Sequence, residues 1–505
     1  MADTLTISSW TMVSRLLGFT RDILLAVLLG AGVLADAFFV AFKLPNFFRR
    51  MLAEGTLTVA LIPVLARQRQ AGEGQAHAFL DALASLLLLL LLLLSVAGVA
   101  LMPWLLLLFA PGFHDEPNRW SQALLLARWM FPYLALISLA AMGWAVLNAY
   151  RRFAVAAASP ALLNLAIIAA ALLLAPSMAN PALALAFGVL AGGALQLAIQ
   201  IPALRRIGWR PRLSLAWRQP AIGETLRLFV PALMGVAAVQ LNILIGTILA
   251  TLLPVGAVSY LYYADRIVQL PLALFGIAMG SALLPALSAM VAEGRRGAAQ
   301  AQLQQGLGWL TWITLPATVG LFMLARPVVE TLFVHGRFTH GDAVATAHTL
   351  QAYALGLIPF CWAKVLGAAC FADRQAKAPM HYAMVGVAVN LLLALLLMGP
   401  LAWVGLALAT SLAALANALL LARKSALLYG RLLVGGVAWR IGKAAAASLI
   451  MAGWLKLICW RFPFPLMAGW PEQGGWLAAV IASALVVFGG SAWIMGERII
   501  PRPPR

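Results

Sequence analysis

Eight ionisable side chains sit where water-exposed charge is not expected. Arg15, Arg21, Asp22, Asp36, Lys43, Arg49, Arg50 and Glu54 all fall within residues 13–66, an otherwise apolar run beginning VSRLLGFTRDILLAVLL. The run is long enough to cross a bilayer twice at roughly 20 residues per crossing. Charged groups at membrane depth are costly and normally face a bundle interior or a water-filled cavity. Five cations stand against three anions here. That balance predicts a cationic cavity and an anionic ligand within the membrane. Arginine suits phosphate oxygens, since its planar fork stays charged and bonds them bidentately.

Helical spacing leaves more than one arrangement open. Arg15 and Asp22 are seven apart, share a helix face and could simply neutralise each other. Arg21 then points elsewhere, unless Gly18 permits a bend that brings both arginines to one cavity. Asp36, Lys43 and Arg50 repeat at seven, with Glu54 four residues further on, which could be a self-neutralising stripe. Arg21 and Arg49 are left without obvious local partners. Farther along, Asp265 and Arg266 follow YLYYA, and adjacent residues on a helix do not face each other. Arg266 is therefore free to look inward.

The rest of the chain must supply the helices that hold these groups. It has 505 residues, 63% hydrophobic and 10% charged, where soluble domains carry about 25% charged residues. It reads as an all-α polytopic membrane protein, with no separable signal peptide ahead of the first span. Apolar runs predict fourteen spans, near 5–29, 36–64, 79–109, 123–149, 155–175, 182–204, 222–252, 257–291, 306–325, 346–370, 378–398, 402–422, 438–460 and 476–496. Pro45, Pro271 and Pro285 are candidate kinks.

Charge asymmetry orients the spans. With the N-terminus inside, the cytoplasmic segments hold twenty-one Lys and Arg residues, including Arg205, Arg206, Arg210, Arg212 and Arg218, and the three in the tail, Arg498, Arg502 and Arg505. The opposite side holds four: Arg119, Arg326, Arg337 and Arg461. That pattern predicts both termini in the cytoplasm. It also accounts for most of the formal net charge of +19 without nucleic acid. Arg128, Arg227 and Lys456, near span ends, read as snorkelling to the interface. Lys364, mid-span, has no assigned role.

An internal repeat divides the chain. FKLPNFFRRMLAEGTLTVALIPVLA, ending at Ala66, resembles ADRIVQLPLALFGIAMGSALLPALS, ending at Ser288. LFAPGF at 108–113 echoes LFVHGRF at 332–338, and AVLNA at 145–149 echoes KVLGA at 364–368. Two six-span halves, 1–204 and 222–422, would be joined by a basic linker at 205–221. Residues 423–505 add two further spans and a basic tail. Six spans return the chain to its starting side, so the repeat is parallel.

Several chemistries find no support. The P-loop, the dinucleotide-binding glycine motif, H-E-x-x-H and a D-x-D pair are all missing from the sequence. Cys361, Cys370 and Cys459 lie in apolar runs without paired spacing and read as core residues. No metal, cofactor or catalytic group is expected, and the chain reads as a transporter, not an enzyme.

The runs SRLLGFTRD (14–22), ADAFFVAFKLPNFFRR (35–50), AEG (53–55), FPY (131–133), YYADR (262–266) and LLP (283–285) closely resemble the MurJ (MviN) family, bacterial lipid II flippases of the MOP exporter superfamily. The resemblance covers essentially the whole chain. It implies a MATE-like fold in the cytoplasmic (inner) membrane, with two six-helix lobes around a central cationic cavity. Spans 13 and 14 would form a groove for the polyprenyl tail. It also implies substrate-binding roles for Arg15, Arg21, Arg49 and Arg266. Asp36 would be an acidic partner, and Asp22, Lys43, Arg50 and Glu54 further gate or charge-partner positions. The cargo would be undecaprenyl-diphosphate carrying a disaccharide pentapeptide, flipped by alternating access. Membrane lipids, and cell-wall synthesis and division proteins, would be its surroundings.

One departure concerns energy. Some family members resemble sodium-coupled transporters with carboxylates in the second lobe, but no Asp or Glu occurs between Asp373 and Glu472. A sodium site of that kind is not expected. The alternatives are a related flippase for another lipid-linked oligosaccharide and a membrane-embedded transferase using the same carrier. The second would need a convergent acid or metal site, and the sequence offers none.

Overall fold

A computed structural model describes residues 2–52 and 56–496, with side chains from residue 9 onward except at 52, 235–239, 241 and 242. Among the described residues all regular structure is helical. Glu54 and the three tail arginines lie outside them. The chain forms two compact units, residues 1–259 with 335–338, and 260–334 with 339–505.

The first unit contains α1 (Ala2–Leu29), α2 (Val33–Leu52), α3 (Thr56–Ala71), α4 (Glu73–Ala100), α5 (Met102–Phe109), α6 (Pro117–Met130), α7 (Tyr133–Ala149), α8 (Phe153–Ala169), α9 (Pro181–Ala198), α10 (Ile201–Arg206) and α11 (Pro220–Thr251). Helix α12 (Ala257–Pro271) starts at its end and leads into the second unit. There follow α13 (Ala278–Ala292), α14 (Arg296–Met323), α15 (Ala325–Phe333), α16 (His340–Ala354), α17 (Leu357–Ala372), α18 (Lys377–Tyr429), α19 (Gly435–Arg461) and α20 (Trp470–Ile494).

Ten helical stretches among the described residues are long and apolar enough to cross a membrane. Their outer faces match that setting. In α4, Leu89, Leu90, Leu92 and Leu93 are exposed, which suits contact with lipid tails. Inside the first unit, Leu61 and Val64 of α3 pack with Phe79 and Leu83 of α4, Val146 of α7 and Ile222 of α11.

Helix boundaries differ from the apolar runs in instructive places. The predicted span 36–64 is divided between α2 and α3. Helix α15, read from sequence as loop, buries Val329 and Phe333. Of the three candidate kinks, Pro271 coincides with an irregularity, a π-helical turn at Leu272–Ile277. Pro45 and Pro285 lie in helices that continue past them.

Helix α18 is a folded hairpin. Ala402 has φ 47° and ψ −128°, the geometry of the first corner of a type II′ turn. The Thr410 hydroxyl reaches Asn390 Oδ1 at 3.4 Å. A Cβ on Gly405 would lie 2.3 Å from the Leu397 carbonyl oxygen, so the arms close tightly only with glycine there. The two predicted spans 378–398 and 402–422 are these arms.

Two helix ends share backbone detail. Helices α7 and α17 end alike: Arg151 has φ 59° and Arg374 φ 60°. Arg152 N–H donates to Leu147 O at 2.8 Å, and Gln375 N–H to Cys370 O at 2.9 Å. Such left-handed C-caps usually use glycine. Arginine at both, 223 residues apart, is a shared departure.

Candidate functional site

Asp36 lies in the first turn of α2 and is fully buried. A carboxylate there must be saturated with donors, and four reach it. Arg119 Nη2 donates to Oδ2 at 3.0 Å, and Gly256 N–H to the same oxygen at 2.8 Å. Oδ1 accepts the Ser259 N–H at 2.9 Å and the Ser259 hydroxyl at 2.6 Å. Asp36 thus sits at the N-terminus of α12, where exposed N–H groups and the helix dipole favour an anion.

Arg119 completes the cluster. It is 1% exposed and also donates through Nη1 to Glu116 at 3.2 Å and to the Leu253 carbonyl at 3.3 Å. Its guanidinium carbon lies 4.3 Å from the centre of the Phe113 ring. The sequence alone places Arg119 in a loop and leaves Asp36 as a partner for one of the motif arginines or part of a stripe with Lys43. The structure corrects both. Asp36 binds Arg119, and Arg119 lies inside α6, because a buried carboxylate draws in the nearest cation at its own depth. A signal was available: in the predicted topology the starts of spans 2, 4 and 8 lie on one side of the membrane, and these carry Asp36, Arg119 and Ser259.

Arg21 is also partnered, contrary to expectation. Its Nε and Nη2 donate to Asp22 Oδ1 at 3.0 and 2.7 Å, and Nη1 donates to Asn164 Oδ1 of α8 at 2.9 Å. Arg21 and Asp22 are both buried. Asp22 therefore serves Arg21, not the Arg15 that helical spacing suggested, because the long arginine stem curls back onto its neighbour. Asn164 also donates to the Ser14 carbonyl at 2.9 Å. Gly18 does not break α1, which runs on to Leu29. A Cβ there would meet the Asn164 amide at 3.4 Å, so the glycine makes room for Asn164. Arg15 is exposed, one face away from Arg21.

The remaining cations of α2 are half-buried. Lys43 donates to the Thr247 hydroxyl of α11 at 3.3 Å. Arg49 Nε donates to Asn46 at 3.0 Å, one turn back, a local partner that the spacing argument did not find. Arg50 lies beside it in the last turn.

In the second unit Arg266 is half-buried on α12. Its guanidinium carbon stands 4.7 Å from the centre of the Tyr262 ring, and Nη1 donates to Gln269 Oε1 at 3.3 Å. Gln269 in turn donates to Asp265. The adjacent acid and base are thus bridged through a residue one turn on, as the helical period allows. Lys364 is exposed, as are Arg128, Arg227 and Lys456.

Chemically, these groups are chiefly arginines and carboxylates held by ion pairs and hydrogen bonds. Among the described residues no three His, Cys, Asp or Glu side chains gather as metal ligands.

Comparisons with known proteins agree with one another. The family model described as lipid II flippase MurJ matches residues 25–464. The lipid II flippase MurJ of Burkholderia cenocepacia is 34% identical, over 97% of this chain and 96% of its own length. A MurJ relative from Rhizobium meliloti is 38% identical over 98% and 95%. One from Haemophilus influenzae is 34% identical over 97% and 98%. Among solved structures, a lipid II flippase MurJ in an inward closed conformation superposes with a TM-score of 0.82 at 24% identity, covering 97% of this chain and 98% of the other. An inward-facing multidrug resistance MATE transporter of the MOP superfamily gives 0.64 at 16% identity, covering 88% and 99%. The fold is therefore all-α and MATE-like, and the chain belongs to the lipid II flippase MurJ family.

Proposed function

We infer that this protein is a transporter that moves lipid II, the undecaprenyl-diphosphate-linked peptidoglycan precursor, from the cytoplasmic to the periplasmic leaflet of the inner membrane. The observation that carries this is the family match over residues 25–464, with relatives aligned along nearly their full length. Arg15, Arg21, Arg49 and Arg266 take the diphosphate during transport. Their support is the family motifs they occupy and a charge type that suits phosphate. Asp36, with Arg119 and the α12 N-terminus, acts as a latch that forms and breaks in the cycle. Asp22, Lys43 and Arg50 hold or balance neighbouring charges, and Glu54 belongs to the same motif.

Fourteen crossings, with both termini cytoplasmic, fit the chain best. Ten are the stretches already described. The other four are α1, the α2–α3 pair, α11 and the second arm of α18. The lobes are 1–204 and 222–422, the linker is 205–221, and the last two crossings, in 423–505, guide the lipid tail. Substrates of drug exporters are often cations, which clustered arginines would repel.

Depleting the protein in its host tests the function. Lipid II should accumulate in the inner leaflet. Normal delivery to the outer leaflet under full depletion would refute it.

A further inference from the structure

The segment between α10 and α11 is a strap tied to the side of α4. Trp209 is 3% exposed, inside the apolar cluster of α3, α4 and α7. Its indole N–H donates to Asp81 Oδ1 at 2.8 Å, and the Arg212 backbone N–H donates to the same oxygen at 3.0 Å. Ser214 N–H then donates to the Ser85 hydroxyl at 2.8 Å. The strap has no internal helix or strand, and these bonds replace the ones such structure would supply.

What the strap presents outward is unusual. Leu213 is 86% exposed and Leu215 83%. Two residues apart in an extended chain, they share a face. Arg205, Arg206, Arg210, Arg212 and Arg218 flank them, all exposed. In water this would be two bare leucines among five like charges. The depth of the strap gives a better reading. Ser85 is four residues, or about 6 Å along the helix axis, from Leu89, where the exposed leucines of α4 begin. With α4 crossing the membrane, that spacing would put the strap where headgroups meet acyl chains, the depth at which interfacial segments bury apolar side chains beneath a cationic fringe.

We propose that residues 205–218 form a membrane-interface anchor for anionic phospholipid, with Leu213 and Leu215 inserted at the acyl boundary and the arginines bound to headgroup phosphates. The proposal rests on α4 crossing the membrane. Asp81 and Ser85 set the depth of the strap, and Trp209 fixes it to the protein core. Arginine pairs bidentately with phosphate oxygens.

The test uses the full-length protein in nanodiscs of phosphatidylcholine, with or without roughly 30% phosphatidylglycerol to supply negative surface potential. A polarity-sensitive probe is placed at Leu215→Cys in a background with Cys361→Ala, Cys370→Ala and Cys459→Ala. Lipid carrying a nitroxide near the headgroup should quench it, and anionic lipid should increase that quenching. Arg210→Gln, Arg212→Gln and Arg218→Gln together should abolish the gain, since each arginine strengthens association with an anionic surface by about fivefold. Salt at about 0.5 M should act in the same direction. Quenching by aqueous iodide alone, equal in both lipid mixtures, would overturn the proposal. So would shielding from iodide seen in native membranes but not in nanodiscs, which would assign the strap to a protein partner. A second probe at Leu93→Cys separates the two levels. Quenching there by a deep acyl-chain nitroxide with failure at 215 rejects the strap alone, and failure at both rejects the crossing as well.

Discussion

Removing the Asp36 carboxylate leaves the buried Arg119 with the partly exposed Glu116 as its remaining acidic partner. Breaking such a pair from one side costs about 3–5 kcal/mol, so Asp36→Asn and Arg119→Gln should each lower the unfolding temperature in detergent substantially. Asp36→Asn with Arg119→Gln should cost much less than the two single changes added together, since two amides can bond without uncompensated charge. Simple additivity in that cycle would mean the pair does not act as a unit. The Arg21 pair differs in kind: Arg21→Lys keeps the charge but cannot serve Asp22 and Asn164 together. These sites also mark the limit of reading residues from sequence. Asp36 and Arg21 stood out because charge in an apolar run is costly. Their partners did not, because Asn164, Ser259 and Arg119 come from helices distant in the chain, and one-dimensional spacing reports only neighbours on the same helix. Arg49's partner Asn46 was within reach of helical spacing, but spacing alone did not distinguish Arg49 from Arg50.

At the scale of elements, the α18 hairpin gives the sharpest case. Alanine at φ 47° carries backbone strain that glycine does not. Ala402→Gly should therefore raise stability, by about 1 kcal/mol, and increase the unfolding temperature. Gly405→Ala should lower it, because the new methyl would press on the Leu397 carbonyl. The opposite order of unfolding temperatures would show that the arms do not close as described. The arms themselves were legible, since Gly399 and Pro400 interrupt an apolar run of more than forty residues. The break between α2 and α3, the short α15 and the π-helical turn after Pro271 were not. Apolar length measures the material available for a crossing, whereas local backbone geometry is set by packing against other helices.

At the scale of the whole molecule, the charge asymmetry predicts the topology. External cysteine labelling should modify a probe at residue 115 and leave probes at 152 and 431 untouched, and the reverse pattern would invert the chain in the membrane. Replacing sodium with choline at constant membrane potential should leave transport intact, because the stretch between Asp373 and Glu472 offers no carboxylate. Loss of transport under those conditions would require a sodium site elsewhere. The offset between similar segments was legible in sequence, and the caps at Arg151 and Arg374 share the same left-handed geometry and the same backbone bond. The central claim is that motif arginines carry the lipid-linked diphosphate across the membrane. Its most direct test is lipid II export in cells whose own flippase is depleted and replaced by this chain with Arg15, Arg21, Arg49 or Arg266 changed singly to alanine. Each variant, inserted at normal level, should lose export, because one lost charge-assisted contact weakens diphosphate binding by about ten- to a hundredfold. Normal export by all four would contradict the claim.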